Sequence, residues 1–201
     1  MVVYSVIMPE RKLEIVNVTG FKGSGKTLAC DYLQRTYGAT LFNPIQLINF
    51  HNNGPVESPA EYDRAQREML EAHPDSYVGP ILQQSGRLCI DGLFVLRQIK
   101  QLQVAIGDDF HTLALQCHPA FRAQNLRKHP KSTYDLYVTQ EQLEHDEALD
   151  RASDPIYRTE VQASMDHCLE GGWLVDTSHP ITSTRRELDN IAQSLGWERT
   201  A

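Results

Sequence analysis

Closely spaced cysteines are missing from the chain: Cys30, Cys89, Cys117 and Cys168 stand far apart, with no C-x-x-C among them. That spacing excludes a zinc ribbon and reads as reduced, mostly buried thiols, not a disulfide frame. No H-x-x-x-H and no Cys/His pairing occurs among the eight histidines, so His118 and His145 read as solvated or core residues before metal ligands. Positive charge is also short: 19 Lys and Arg against 26 Asp and Glu leave a net charge of −7 and a pI near 5.6. Such a balance argues against general nucleic-acid binding, which calls for a basic face. Lys128, His129 and Lys131 make one modest basic spot. No apolar stretch approaches the roughly 20 residues of a membrane span. Met1 to Met8 lacks a basic leader and a small-residue cleavage site. A cytoplasmic location and no membrane partner are therefore expected.

What is present is informative. At 201 residues and 41% hydrophobic content the chain can build one α/β domain over 1–201 with a small inserted lid. Residues Gly20-Phe21-Lys22-Gly23-Ser24-Gly25-Lys26-Thr27 spell a complete phosphate-binding loop. The β-branched run Leu13 to Thr19 before it predicts a buried strand, and Thr27 to Arg35 after it predicts a helix. The motif has meaning only in that setting. Glycines permit φ > 0 and leave room for phosphate oxygens against bare backbone. Successive amides and a helix N-terminus then form an anion nest. In this reading Gly20, Lys22, Gly23, Ser24, Gly25, Lys26 and Thr27 hold the nucleotide. Lys26 reaches the β/γ-phosphates, and the Thr27 hydroxyl sits on Mg²⁺. ATP and Mg²⁺ are the expected cofactors.

Strand and helix alternate along the rest of the chain. Further strands are predicted at 39–42, 87–91, 111–117 and 173–176. Helices are predicted at about 45–50, 60–72, 78–84, 94–106, from 119, at about 158–169 and at 184–195. The pattern predicts a doubly wound, three-layer fold: a five-stranded parallel sheet with helices on both faces. Residues 43–86 are the expected acceptor-binding segment. The polar stretch 128–155, with opposite charges in blocks, is the expected small helical lid. No internal repeat or low-complexity tract interrupts this order.

Two further features carry chemistry. Leu88-Cys89-Ile90-Asp91-Gly92 is a buried strand ending in an acid beside the loop strand, which is where the water shell of Mg²⁺ is held. Its bland alternative is a strand-ending Asp that caps the next helix. Arg122 and Arg127 lie on the helix entering the lid. Guanidinium groups position and neutralise a transferring phosphoryl group; as ordinary surface charges they would pair with Glu141, Glu144 or Asp146. Lys26, Asp91, Arg122 and Arg127 are thus the candidate catalytic residues, with Thr27 and Asp91 as metal ligands. Tyr134, Tyr137, Tyr157 and Trp173 read as packing residues, and Glu57 and Asp63 as solvated charge. Gln83-Gln84-Ser85-Gly86 reads as a pocket lining or a plain helix end.

Together, Gly-x-x-Gly-x-Gly-Lys-Thr, the strand ending Asp91-Gly92 and the Arg122-to-Arg127 helix resemble the nucleoside monophosphate kinase superfamily. Ile90-Asp91-Gly92 and the His118-Pro119 helix start are similar to archaeal dephospho-CoA-kinase-like proteins. Asn43-Pro44-Ile45 is similar to phage deoxynucleoside monophosphate kinases. The resemblance covers about residues 13–195 and implies ATP-dependent phosphotransfer to a nucleotide bound between the second and third strands. Such relatives place an arginine just after the Asp-Gly turn, where this chain has Leu93 and Phe94. Arg97, Arg64 and Arg67 are the candidates for that acceptor contact. Asn43 stands where an acid is usual and is the fourth acceptor-side candidate.

Two other functions fit the same residues. One is a nucleotide-hydrolysing regulatory protein, although no Asn-Lys-x-Asp motif for guanine occurs. The other is a kinase of a modified-nucleotide hydroxyl in a polynucleotide. The expected partner is a small-molecule phosphate acceptor, and a homodimer is one admissible assembly.

Overall fold

The computed structural model of the chain describes residues 12–55, 59–93, 95–130, 133–145, 166–167 and 170–200, without the side chains of 59–63 and 133–134. Five strands form one parallel sheet: β1 (Leu13–Gly20), β2 (Thr40–Phe42), β3 (Gly86–Asp91), β4 (Phe110–Gln116) and β5 (Trp173–Asp176). Their spatial order is β2-β3-β1-β4-β5. Eight helices are named with them: α1 (Lys26–Tyr37), α2 (Pro44–His51), α3 (Pro59–Ala72), α4 (Val78–Leu82), α5 (Leu96–Ile106), α6 (Pro119–Lys128), α7 (Thr133–Tyr137) and α8 (Ile181–Ser194). Helices cover both faces of the sheet, so the three-layer α/β fold read from the sequence is the fold observed.

A parallel sheet buries both faces, and the period of two along each strand divides the apolar residues between them. In β1, Val16 and Val18 face one side and Ile15 the other; in β3, Cys89 is separated from Leu88 and Ile90. The first face packs on α1 and α8 through Ala29, Leu33, Leu188 and Ile191. The second packs on α2 to α5 through Ile48, Met69, Ile81, Ile99 and Leu102. Each such buried aliphatic side chain stabilises the fold by about 1.5–3 kcal/mol. The register sets Val18 opposite Asp91 and Gly20 opposite Leu115. The carboxyl ends of β1, β3 and β4 therefore share one edge, and the segments leaving them meet there.

Two boundaries differ from expectation for visible reasons. The helix read from Phe94 starts at Leu96, because the backbone at Leu93 is committed elsewhere. Asn17, fully buried in β1, donates from Nδ2 to the Leu93 carbonyl at 3.1 Å and accepts the Leu93 amide at 3.2 Å. The last helix starts at Ile181, straight after Pro180, and not at Thr184.

Of the stretch 128–155, residues 128–130 and 133–145 are described. α7 and the helical turn at 140–145 lie against α6, burying Val138 and Leu143 beside Ala123 and Leu126. A few apolar positions among many charges were too sparse for a periodic signal. Residues 146–155 of the expected lid, and Tyr157, Glu57, Phe94, Lys131 and Asp146, lie outside the described residues, as do the side chains of Asp63 and Tyr134; of the helix expected at 158–169 only 166–167 are described, and they are helical.

At the opposite end of α1, residues 197–200 fold back on the helix. Thr200 donates its amide to the Thr36 carbonyl at 2.8 Å, and the Trp197 indole donates to Glu14 at 2.6 Å. Tyr32, Tyr37 and Arg199 all donate to Asp189 of α8. Burial pushes the Asp189 carboxyl up, but the two hydroxyls and the guanidinium outweigh it and hold it below the usual range.

Replacing Asn17 by Ala would leave the buried Leu93 amide and carbonyl without their partner. We expect Asn17→Ala to lower the unfolding free energy by about 2–4 kcal/mol in chemical denaturation, since each orphaned buried group costs about 1–3 kcal/mol.

Candidate phosphate-binding site

The chain must reverse sharply between the end of β1 and the start of α1. Gly23 and Gly25 do this with φ of 81° and 94°. At Gly23 the space is closed as well: a Cβ there would stand 2.8 Å from the Arg122 carbonyl oxygen. Gly25 caps α1 with no side-chain hydrogen bond. Helix α1 thus begins without a side-chain cap, with the positive end of the helix dipole at its first turn. An anion is the natural partner for such an end.

The loop's carbonyls are taken by the protein itself. Lys26 Nζ donates to Gly20 O at 2.8 Å and to Phe21 O at 3.1 Å. Arg122 Nη1 reaches Lys22 O at 3.5 Å, and Asn125 Nδ2 donates to Gly23 O at 3.1 Å. Thr177, just beyond β5, donates its hydroxyl to Ser24 O at 2.8 Å. Arg122 is buried, and its guanidinium lies 5.2 Å from the centre of the Phe21 ring. Lys22 pairs with Asp135 of α7 at 2.7 Å.

Asp91 closes the site from β3. The Thr27 hydroxyl donates to Asp91 Oδ2 at 2.9 Å, spanning the two chain segments that leave β1 and β3. The backbone turns away at once, with the Gly92 amide bonded to Val18 O at 3.0 Å, and Asn17 pins the next residue. Thiol chemistry is disfavoured nearby. Contact with Cys89 and burial push the Cys30 thiol well up, and burial raises that of Cys117, so both stay protonated.

The sequence-derived candidates thus divide. Gly20 to Thr27, Asp91 and Arg122 come together. Arg127 is exposed and donates to the Val138 carbonyl at 2.6 Å, which fastens α6 to the segment after α7. Asn43 lies at the same sheet edge, one residue beyond the Phe42–Ile90 pairing, and its Oδ1 caps α2 by accepting the Ile45 amide at 3.1 Å. Arg64 and Arg67 are exposed on α3. Arg97 pairs with Asp75 at 3.2 Å. Gln83, Gln84 and Ser85 are exposed at the end of α4, where Gln84 donates to Pro80 O, as in a plain helix terminus.

Asn17, Asn125, Thr177 and Asp135 were missed. Only Asn17 carried a signal, as a polar residue inside an apolar strand.

Two cavities are present, of which the smaller adjoins the loop. One of about 150 Å³ runs from Ser24 and Gly25 past Tyr32 to Thr177 and Arg185. The other, about 760 Å³, lies between α2 and the end of α3, with Leu47, Phe50, His51, Met69 and His73 in its walls.

No protein-family model matches this chain, and no curated protein sequence does. Solved structures do. A shikimate kinase from Bacteroides thetaiotaomicron is similar at a TM-score of 0.59 and 13% identity, over 91% of this chain and 98% of that one. The tunicamycin resistance protein of Deinococcus radiodurans is similar at 0.54 and 18%, over 94% and 98%. A deoxyadenosine kinase from M. mycoides with bound dCTP is similar at 0.52 and 11%, over 90% and 99%. The chain shares its P-loop α/β fold with these proteins.

The two positive-φ glycines separate two costs. Gly25→Ala meets no atom within 4 Å and bears only the backbone penalty, about 1–2 kcal/mol. Gly23→Ala adds a clash with backbone at Arg122, so its loss in unfolding free energy is expected to be the larger of the two in parallel denaturant titrations.

Proposed function

We propose that the protein is an ATP- and Mg²⁺-dependent phosphotransferase acting on a nucleotide or nucleotide-like small molecule. The observation that carries this reading is the Thr27–Asp91 pair, 2.9 Å apart at the mouth of a glycine loop that leads into a helix without a side-chain cap. Mg²⁺ takes oxygen ligands, keeps several waters and uses one or two carboxylates plus substrate phosphates. One hydroxyl and one carboxylate on separate elements fit that demand, and Thr27 and Asp91 would hold the ion. When bound, Mg²⁺ neutralises charge on the β- and γ-phosphates.

Every other part is supplied by side chains of the chain. The loop amides and Lys26 bind the phosphates; Lys26 exchanges the carbonyls of Gly20 and Phe21 for phosphate oxygens. The cavity from Gly25 to Arg185 takes the donor's nucleoside, since it opens directly off the loop. Arg122, buried against Phe21, fixes the loop's shape, and Arg127 can swing from Val138 O toward the transferring group.

In this reading the acceptor enters beside Asn43, at the sheet edge next to Asp91, and the larger cavity between the far end of α2 and the end of α3 is a separate space. Asn43 is committed to the α2 cap and an amide is no general base. A hydroxyl acceptor benefits from a base to take its proton, whereas a phosphate monoester is already an anion at neutral pH. This favours a monophosphate over an alcohol as acceptor. Arg64, Arg67 and Arg97 are the cations that would bind it, each by exchanging its present contacts for acceptor oxygens, Arg97 those with Asp75. The domain reading follows: acceptor segment 43–86, lid about 128–155, within a single kinase domain.

The test is Mg²⁺-dependent ATP consumption against ribo- and deoxynucleoside monophosphates, dephospho-CoA, nucleosides and short oligonucleotides. A monophosphate should raise turnover at least about tenfold, and Lys26→Met should remove at least about two orders of magnitude of rate with the fold intact. Slow hydrolysis indifferent to every acceptor, or a folded and active Lys26→Met protein, would overturn the proposal.

A further inference from the structure

Lys22 of the loop and Asp135 of α7 form an ion pair, 2.7 Å between Nζ and Oδ1. Lys22 is about half exposed at the lip of the loop, and the Asp135 side chain is 1% exposed. The contacts from α6, by contrast, place Arg122 and Asn125 on loop carbonyls. Those need not change when a ligand arrives, because they use backbone oxygens that face away from an anion. The Lys22 ammonium is different. It sits on a flexible stem beside the nest, and an arriving polyphosphate competes with Asp135 for it.

We propose that Asp135 is a brake on the loop: it withholds Lys22 from the donor's terminal phosphate, and a triphosphate draws Lys22 away where a diphosphate does not. This rests on the reading of the loop as a nucleotide site. The consequence is specificity for phosphate number. A diphosphate is held by the amides and Lys26; the third phosphate adds the negative charge that engages Lys22. Transfer of Lys22 also removes a cation from a buried carboxylate. Because α7 lies against α6 and the segment that follows it buries Val138 and Leu143 there, loading of the loop is thereby linked to the seat of α7. Asp135 is in this view a positioning residue, acting on the donor only through Lys22.

The experiment is calorimetric titration of MgATP and MgADP, without acceptor, into the full chain and its Lys22→Met, Asp135→Asn and doubly substituted forms. Lys22→Met is expected to weaken MgATP about tenfold with MgADP little changed. Asp135→Asn is expected to tighten MgATP about fivefold, and to have no such effect once Lys22 is Met. If Asp135 is only a structural latch, its substitution will weaken both nucleotides alike in either background and lower the thermal midpoint, which overturns the proposal. Should Asp135→Asn not fold, the ATP-to-ADP affinity ratio of Lys22→Met decides alone: an unchanged ratio overturns the brake while leaving the loop assignment standing. Failure of the unsubstituted protein to bind either nucleotide overturns the loop assignment itself, and the brake with it.

Discussion

A phosphate-binding loop is constrained by its own oxygens. Each amide turned outward toward an anion has a carbonyl next to it, and a carbonyl facing the same way would repel the ligand. Here the carbonyls of Gly20, Phe21, Lys22, Gly23 and Ser24 are each taken by an internal donor: Lys26, Arg122, Asn125 and Thr177. These donors come from α1, α6 and the segment after β5, so the loop's shape depends on elements that follow β1, β4 and β5. The strand order places those three side by side, with β1 between β3 and β4. The sheet is thus the frame that brings four donors to five oxygens, and the nest is a property of the whole fold.

The same logic applies to the two ends of α1. Its amino end carries Lys26 and Thr27, whose positions matter to a fraction of an ångström if they are to meet phosphate and Asp91 together. Its carboxyl end is anchored by Tyr32 and Tyr37 to Asp189 and by the Thr200 amide to Thr36. Both tyrosine hydroxyls are pushed to higher pKa, first by burial and then by the Asp189 carboxylate, so they remain donors at any physiological pH. Asp91 receives a parallel treatment from Asn17, which spends both its amide groups on Leu93. A polar side chain at the centre of an apolar sheet is tolerable because both of its hydrogen-bonding ends are satisfied. Its effect is to stop α5 from starting earlier and to hold the turn after Asp91.

What could be read from the sequence were the features encoded locally. The loop, its flanking strand and helix, the β3 acid and the five-strand alternation each rest on a short run of neighbouring residues. Asn125, Thr177 and Asp135 were not legible, because their roles rest on contacts more than 100 residues away, with Gly23, Ser24 and Lys22. Arg122 and Arg127 show the limit differently. Equal in type and five apart on one helix, they read as a pair. One is buried over Phe21, and the other is exposed and fastened to Val138 O. Neither burial nor direction is written in the spacing alone. The stretch after α6 was read as a lid because charge dominates its composition; the burial of Val138 and Leu143 against α6 was not legible there.

On the proposed acceptor side the physical argument turns on one residue. A side chain that begins the helix after β2 stands at the sheet edge beside Asp91, which is where a proton-accepting carboxylate would be most useful to an alcohol nucleophile. The chain puts an amide there and uses its oxygen on the Ile45 amide, with Pro44 fixing the first helical φ. That arrangement gains helix stability, about 1 kcal/mol for such a cap, and gives up general-base chemistry at the position. An acceptor that arrives already ionised makes the exchange harmless. It also shifts the burden onto cations that can hold a dianion, and exposed arginines at Arg64, Arg67 and Arg97 suit that task better than a second carboxylate, which would repel the nucleophile. The identity of one capping residue thus bears on which nucleophile the site can use.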